Sequence, residues 1–148
     1  MTFREATEAD VPAIVILLAD DTLGARREDN GSTLSDAYLQ GFRRMMQGQG
    51  RIILAQHGPA VIACFQLDIL HGVSQRGLAR AQVEGVRVAS ARRGAGVGAA
   101  LMAEAIRRAR DAGCGVVQLT TNLARTEAQR FYRRLGFKQS HAGLKLDL

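Results

Sequence analysis

The sequence predicts an α/β protein with a mixed, mainly antiparallel central sheet flanked by helices. Three observations favour this class. Short β-branched runs alternate with amphipathic helical patterns, residues 60–70 alternate apolar and polar side chains, and an alanine-rich helical pattern directly follows the strand pattern at residues 79–88. At 148 residues the chain is most economically one domain, residues 1–148. The predicted element order is βααββ-β-αβαβ.

The first half of the chain predicts three strands and two helices. The first helix has Thr7 or Asp10 as its cap and Pro12 in its first turns, and glycines end the second helix. The polar stretch at residues 20–33 has no useful periodicity and predicts a loop. In order, we expect a strand at 2–6, helices after Asp10 and at 34–47, and strands at 51–56 and 60–70 joined by the tight turn His57-Gly58-Pro59.

The second half predicts a crossover of strand, helix and strand. Gly113 and Gly136 each follow a helical pattern, where a left-handed residue commonly ends a helix. After a glycine-bearing loop at 71–77, we expect strands at 79–88 and 116–121, helices at 96–112 and 124–135, and one or two closing strands within 137–148.

Composition excludes several classes of protein. The formal net charge is +6, but the 18 arginines are scattered and only seven aromatic residues occur, which argues against nucleic-acid binding. No apolar run is long enough to span a membrane, and the N-terminus has no secretory pattern. The distant Cys64 and Cys114 match neither a disulfide framework nor a metal-ligand spacing. These features predict a cytoplasmic protein with no membrane partner and no metal.

Three glycines at alternate positions lie where the strand at 79–88 gives way to a helix. Amide groups in the first turn of a helix attract anions, and glycine lets a ligand approach them closely. We therefore expect an anion, in the first instance a phosphate, at the main chain of Gly94, Ala95, Gly96, Val97, Gly98 and Ala99. Arg93 can add a charge-assisted hydrogen bond.

Two nucleotide motifs fit this loop poorly. The dinucleotide fingerprint needs an acidic residue at the end of the next strand, which here reads Thr120-Thr121-Asn122. A nucleoside-triphosphate loop needs a lysine before Ser or Thr, and no lysine is nearby. The anion is therefore better sought in another cofactor.

The segment Arg92-Arg93-Gly94-Ala95-Gly96-Val97-Gly98 resembles the acyl-CoA pyrophosphate loop of the GNAT superfamily of N-acetyltransferases. The segment Phe131-Tyr132-Arg133-Arg134-Leu135-Gly136-Phe137 resembles the second signature of that superfamily, in the same order and spacing. The element order is also similar over nearly the whole chain, although residues 20–50 carry no family motif. The resemblance implies acetyl-CoA as cosubstrate and transfer of its acetyl group to a primary amine by direct attack.

The resemblance also implies roles for residues outside the loop. The main chain of Val86 and Val88 would pair with the pantetheine arm as an added strand. Tyr132 would protonate the leaving thiolate, and Glu84, taken to share one side of its strand with Val86 and Val88, would be the general base. Glu84 as a solvated or substrate-binding carboxylate stays open. Asn122 either faces the pantetheine arm or caps the following helix.

Other polar residues are weaker candidates. Asp20 and Asp21 either attract an amine or simply end a helix, and the second interpretation is favoured. His57, His71 and His141 have no metal spacing and are taken as structural or surface residues, with His71 the first to reconsider.

The resemblance and the composition together leave three functions to compare. The first is an N-acetyltransferase, the second is a non-catalytic acyl-CoA-binding regulatory module on the same fold, and the third is a basic nucleic-acid-binding protein. The identity of the amine, small molecule or peptide, is not encoded in any motif, and a homodimer is left open. Specificity is expected in residues 20–50 and 71–78.

Overall fold

The computed structural model describes residues 1–29 and 33–148, and contact clustering divides it into two compact units, Met1–Gln118 and Leu119–Leu148. The strands are β1 (Thr2–Glu5), β2 (Arg51–His57), β3 (Ala60–Leu70), β4 (Arg80–Val88) and β5 (Val116–Leu119). The helices are α1 (Val11–Ala19), α2 (Asp36–Gln47), the single turn α3 (Ser74–Gly77), α4 (Val97–Asp111) and α5 (Thr126–Arg134). Among the described residues, no helix is both long enough and apolar enough to cross a membrane.

The strands form one sheet in the order β1-β2-β3-β4-β5. The pairings β1 with β2, β2 with β3 and β3 with β4 are antiparallel, with Phe3 opposite Ala55, Ile53 opposite Phe65 and Leu67 opposite Val83. The tight turn at Gly58-Pro59 fixes the register of the central hairpin, as its sequence predicts. The mixed sheet flanked by helices confirms the predicted fold class.

Helices cover both faces of the sheet in the first unit. On one face, Leu54 and Cys64 are buried against the apolar sides of α1 and α2, which include Ile14 and Phe42. The opposite face carries the buried side chains of Ile53, Phe65 and Val83. Helix α4 contacts β3 and β4, and its own buried residues include Leu101, Met102 and Ala105. Burial on both faces explains why Ile62 to Phe65 are buried without alternation, whereas the pattern alternates from Phe65 to Asp68.

A β-bulge interrupts the pairing of β3 with β4. Glu84 lies opposite Gln66, but Arg87 lies opposite Cys64, so β4 has one residue more than β3 in this interval. Gly85 has a φ of +57°, a conformation that glycine adopts at little cost. Because opposed residues share a face, Glu84 and Arg87 point to one side and Val88, opposite Ala63, points to the other. The expectation that Glu84 and Val88 share one side is therefore wrong.

The other elements match the sequence predictions with shifted ends. The loop predicted at 20–33 contains a 3-10 turn at Gly24–Arg26, and its residues 30–32 lie outside the described residues. Helix α5 begins at Thr126 and not at the predicted position 124, and β5 ends at Leu119 and not at the predicted position 121. Residues 74–77 form a turn in which Gln75 and Arg76 have positive φ angles.

The predicted closing strands are wrong. Residues 137–148 are all described, and none of them belongs to a strand. Leu144, Leu146 and Leu148 alternate with polar residues, as they would in a half-buried strand, but all three are exposed. Alternation indicates which side a strand would bury, whereas a strand also needs a partner for its backbone N–H and C=O groups.

Candidate active site

The backbone after β4 turns sharply into helix α4. A 3-10 turn at Ser90–Arg92 follows the strand, and Gly94 and Gly96 then have φ angles of +77° and +79°. Among residues 1–29 and 33–148, no atom beyond the adjacent residues lies within 4 Å of where a Cβ would stand at either glycine. Gly96 occupies the N-cap position of α4, and Val97 is buried and anchors the first turn. The glycines therefore provide both the left-handed conformation and unobstructed access to the backbone.

The start of α4 has the properties of an anion site. The first internal bond of the helix runs from the Ala100 amide to the Gly96 carbonyl at 3.1 Å. The amides of Val97, Gly98 and Ala99 precede it, where a helix offers N–H groups without intrahelical acceptors. Helix α4 has 15 residues, and its dipole places partial positive charge at this end. Residues 94–96 and Ala99 are exposed, so an anion can reach these amides from solvent.

Arg93 binds the protein's own backbone beside this loop. Its Nε donates to the carbonyl oxygen of Val88 at 3.1 Å, and its Nη2 donates to the carbonyl oxygen of Asp20. The same Nη2 lies 3.6 Å from the Asp20 carboxylate. The Arg93 side chain is 48% exposed to solvent. It therefore ties β4 to the end of α1 while remaining accessible to solvent.

Asp20 and Asp21 end helix α1 and connect it to β4 and the glycine loop. The Asp20 carboxylate accepts a hydrogen bond of 2.6 Å from the amide of Ser90. The Asp21 carboxylate accepts one of 2.6 Å from the Gly24 amide and lies 3.8 Å from Arg87 Nε. Both carboxylates thus have partners within the chain, which favours the helix-end interpretation.

A cleft of about 500 Å³ opens beside this network. The lining residues, drawn from the end of α1, the following turn and the loop before α4, are Ala19, Asp20, Asp21, Thr22, Ala25 and Arg93. The cleft thus lies between the end of α1 and Arg93, the residue that directly precedes the glycines of the predicted phosphate loop.

The end of β4 supplies the main chain proposed to hold the pantetheine arm. The Val86 carbonyl accepts a hydrogen bond of 2.8 Å from Arg87 Nη1, and the Val88 carbonyl accepts the bond from Arg93. A strand-like ligand would have to share or replace these arginine donors at both carbonyls.

Glu84 is exposed on the face of the sheet that also carries Leu54, Cys64 and Arg87. Its carboxylate accepts a weak hydrogen bond of 3.4 Å from Gln82. Since α1 and α2 pack on this face, Glu84 lies on the same side of the sheet as Arg87 and its partner Asp21. The carboxylate is exposed to solvent and therefore accessible to a substrate.

Tyr132 lies near the C-terminal end of α5, in the second unit. Its ring packs edge-to-face against Phe131 and Phe137, with centroid separations of 5.2 and 5.8 Å. The Phe137 amide also binds the Tyr132 carbonyl at 3.1 Å, so the turn at Gly136 folds back over the helix end. The aromatic residues of the second sequence signature thus fix the ring of Tyr132.

Asn122 lies in the same unit, in the turn before α5. Its side-chain oxygen accepts a hydrogen bond of 2.9 Å from the Ala124 amide. Arg125, not Asn122, holds the N-cap position of α5, so the capping interpretation is wrong by three residues. The bond instead closes a local turn of the kind that asparagine favours.

The structure brings several of the predicted site residues together in the first unit. Arg93, which directly precedes Gly94, donates a hydrogen bond to Val88, and Glu84 and Val86 lie on the same strand as Val88. Sequence reasoning did not predict the hydrogen bond between the Asp20 carboxylate and the Ser90 amide, because 70 positions separate these two residues along the chain. Tyr132 and Asn122 belong to the second unit. Over residues 1–29 and 33–148, no cluster of His, Cys, Asp and Glu has the composition of a metal site.

Comparison with known proteins identifies the family. The sequence model of the acetyltransferase (GNAT) family matches residues 16–137. The chain belongs to this family. A crystal structure of a transcriptional regulator from Bacillus halodurans has 41% identity and a TM-score of 0.94, with 99% of both chains covered. A putative acetyltransferase from Agrobacterium tumefaciens has 26% identity and a TM-score of 0.85, with both chains fully covered.

A curated relative is similar over a shorter stretch. The aminoalkylphosphonate N-acetyltransferase of Salmonella typhimurium is 49% identical over 49 residues, which are 33% of this chain and 32% of that protein. The match to this relative covers about a third of each protein, and the GNAT family to which the chain belongs is a family of acetyltransferases that use acetyl-CoA.

Proposed function

We propose that this GNAT protein moves the acetyl group of acetyl-CoA onto a primary amine by direct attack. The observation that carries the proposal is the exposed turn at Gly94 and Gly96, which presents the first amides of α4 to solvent. In the proposal, the amides of residues 94–99 hold the pyrophosphate. The main chain of Val86 and Val88 then directs the thioester along β4.

The reaction forms a C–N bond and breaks the C–S bond of the thioester. The amine must first be neutral. At pH 7, deprotonating an amine with a pKa of about 10.4 costs roughly 4.6 kcal/mol. Glu84 is proposed as the base that accepts this proton, since its carboxylate is exposed on the α1 side of the sheet. A backbone amide near Val88 would stabilise the oxyanion of the tetrahedral intermediate.

Tyr132 is proposed as the acid that protonates the leaving CoA thiolate. Full transfer from a phenol to a thiolate is uphill by about 2 kcal/mol with ordinary pKa values, so a hydrogen bond to sulfur supplies part of the stabilisation. The packing of its ring between Phe131 and Phe137 supports a fixed donor. Asn122 is proposed to contact the pantetheine arm when the ligand is bound.

The substrate is proposed to be a small-molecule or peptide amine in the cytoplasm, where acetyl-CoA is made and used and where the free thiols of Cys64 and Cys114 persist. The decisive experiment measures thiol release from acetyl-CoA over a panel of amines. The panel contains amino acids, aminoglycosides, peptides and, because of the curated relative, aminoalkylphosphonates. We expect release with at least one amine, together with its acetylated product by mass spectrometry.

A non-catalytic regulatory module is the second candidate. It is favoured by the Bacillus halodurans protein of 41% identity, which is described as a transcriptional regulator. Under this alternative, acetyl-CoA binds and raises the unfolding temperature, but no amine in the panel accelerates thiol release. Thiol release that depends on an amine therefore separates the two candidates, and saturable binding of duplex DNA would favour the regulator.

A further inference from the structure

We propose that Asp20 is a positioning residue for the acyl-CoA pyrophosphate loop. The inference rests on the proposed function of residues 94–99. Asp20 ends helix α1, yet its carboxylate accepts a 2.6 Å hydrogen bond from Ser90, the first residue of the 3-10 turn that leads to the glycines. A bond between residues 70 positions apart fixes this turn to a rigid helix end.

A second connection joins the same two segments. The carbonyl oxygen of Asp20 accepts a hydrogen bond from Arg93, whose Nε also binds the carbonyl oxygen of Val88. The turn Ser90–Arg92 is therefore held at both ends, through the Ser90 amide and through the Arg93 side chain. The Asp20 side chain is 32% exposed, so these bonds lie at the edge of the cleft and not in the core.

The physical role follows from the conformational freedom of the loop. Glycines at positions 94 and 96 leave the backbone many accessible conformations, and an anion that orders such a loop must offset that entropy. By fixing Ser90 before the ligand arrives, Asp20 lowers this ordering cost. Its negative charge itself disfavours a phosphate. The net benefit must therefore come from geometry, with Arg93 neutralising the carboxylate at 3.6 Å.

The test compares two variants of Asp20. Asp20→Ala removes the acceptor for Ser90, whereas Asp20→Asn keeps an acceptor oxygen and removes the charge. We expect Asp20→Ala to raise the KM for acetyl-CoA by about tenfold, the usual value of a charge-assisted hydrogen bond, with kcat retained. Asp20→Asn should stay within about threefold of wild type. Glu8→Ala is the matched control, because it removes an exposed carboxylate paired with Arg43 away from the loop.

A truncated donor distinguishes positioning from general damage. S-acetylpantetheine has the thioester but no pyrophosphate, so its KM should be the same for Asp20→Ala and wild type. If Asp20→Ala raised the KM for both donors equally, the proposal would be overturned. An unchanged or lower KM for acetyl-CoA in Asp20→Ala would overturn it as well. A loss in Asp20→Asn as large as that in Asp20→Ala would also overturn it, because the effect would then follow the charge and not the bond to Ser90.

Hydrogen–deuterium exchange tests the hydrogen bond between the Ser90 amide and the Asp20 carboxylate in the absence of any ligand. In the free protein, Asp20→Ala should speed exchange at the Ser90 amide and in residues 91–96, and Asp20→Asn should not. Unchanged exchange in Asp20→Ala would overturn the positioning role. If wild type bound no acetyl-CoA, the proposed function would fail while this measurement still tested the connection between Asp20 and Ser90.

Discussion

Gly96 shows how a single residue can combine a backbone requirement with a ligand requirement. Its φ of +79° falls in the region that disfavours any side chain, and it caps the helix whose first amides are proposed to bind pyrophosphate. Gly58 offers a comparison, since it has a φ of +58° in the turn between β2 and β3 and also has open space around it.

We expect Gly96→Ala and Gly58→Ala each to lower the free energy of unfolding by about 1–2 kcal/mol, because both force a methyl-bearing residue into a left-handed conformation. Only Gly96→Ala should also weaken binding of CoA, by about tenfold, since its methyl group holds the phosphate away from the amides. Urea unfolding and titration calorimetry measure the two effects. Equal CoA affinities in the two variants would remove Gly96 from the proposed site.

Tyr132 is the second residue whose role can be isolated. Tyr132→Phe keeps the ring that packs between Phe131 and Phe137 and removes only the hydroxyl group. We expect kcat to fall by about 10²-fold while the affinity for acetyl-CoA is retained, because general acid catalysis contributes on that order. Steady-state kinetics with the best amine give the first quantity, and calorimetry gives the second. Wild-type turnover would exclude Tyr132 from the mechanism.

At the level of elements, the 3-10 turn at Glu8–Asp10, which leads into α1, is stabilised by a carboxylate that binds β1. The Asp10 carboxylate accepts hydrogen bonds of 2.8 and 2.6 Å from the Arg4 guanidinium, and one of 2.8 Å from the Thr7 amide. The Arg4 bonds, with those from Thr7, hold the pKa of Asp10 well below its usual range. A depressed pKa means that the folded state favours the ionised form, so this stabilisation is present at neutral pH and is lost on acidification.

We expect Asp10→Asn to lower the free energy of unfolding by about 1–2 kcal/mol at pH 7, the usual value of a hydrogen bond to a charged group. The difference from wild type should begin to shrink below about pH 4, where the unfolded carboxyl starts to be protonated, and become smaller as the folded carboxyl is protonated as well. Urea unfolding at several pH values measures it. Asp147→Asn, at an exposed position near the chain end, is the control. A difference that stayed constant with pH would contradict the ionised role of Asp10.

The bulge in β4 is an element-scale feature that reverses a prediction from periodicity. Strict alternation would place Glu84 and Val88 on one face, and the extra residue at Gly85 places them on opposite faces. With the bulge, the side chain of Glu84, the proposed base, lies on the face of the sheet that packs against α1. The main chain of Val88 continues into the glycine loop. Glycine at position 85 was the only sequence signal, and glycine inside a strand pattern does indicate a bulge.

For the whole molecule, the prediction of one domain over residues 1–148 can be tested by calorimetry. We expect a single unfolding transition whose calorimetric and van't Hoff enthalpies agree. CoA at about 100 times its Kd should add about 2.7 kcal/mol and raise the unfolding temperature by roughly 5–10 °C. Two resolved transitions, assigned to residues 1–118 and 119–148, would contradict the single domain. Duplex DNA serves as the control ligand and should leave the transition unchanged.

The sequence alone determined the fold class, the central hairpin and the helix that starts after the glycines, because periodicity and turn residues are local signals. It also gave the two motifs on which membership of the GNAT family was suspected. Only the tertiary structure decided the face of Glu84, the absence of a strand in residues 137–148, and the bonds that Asp20 makes to Ser90 and Arg93. Each of these depends on which distant backbone group lies opposite, and the order of residues along the chain does not encode that directly.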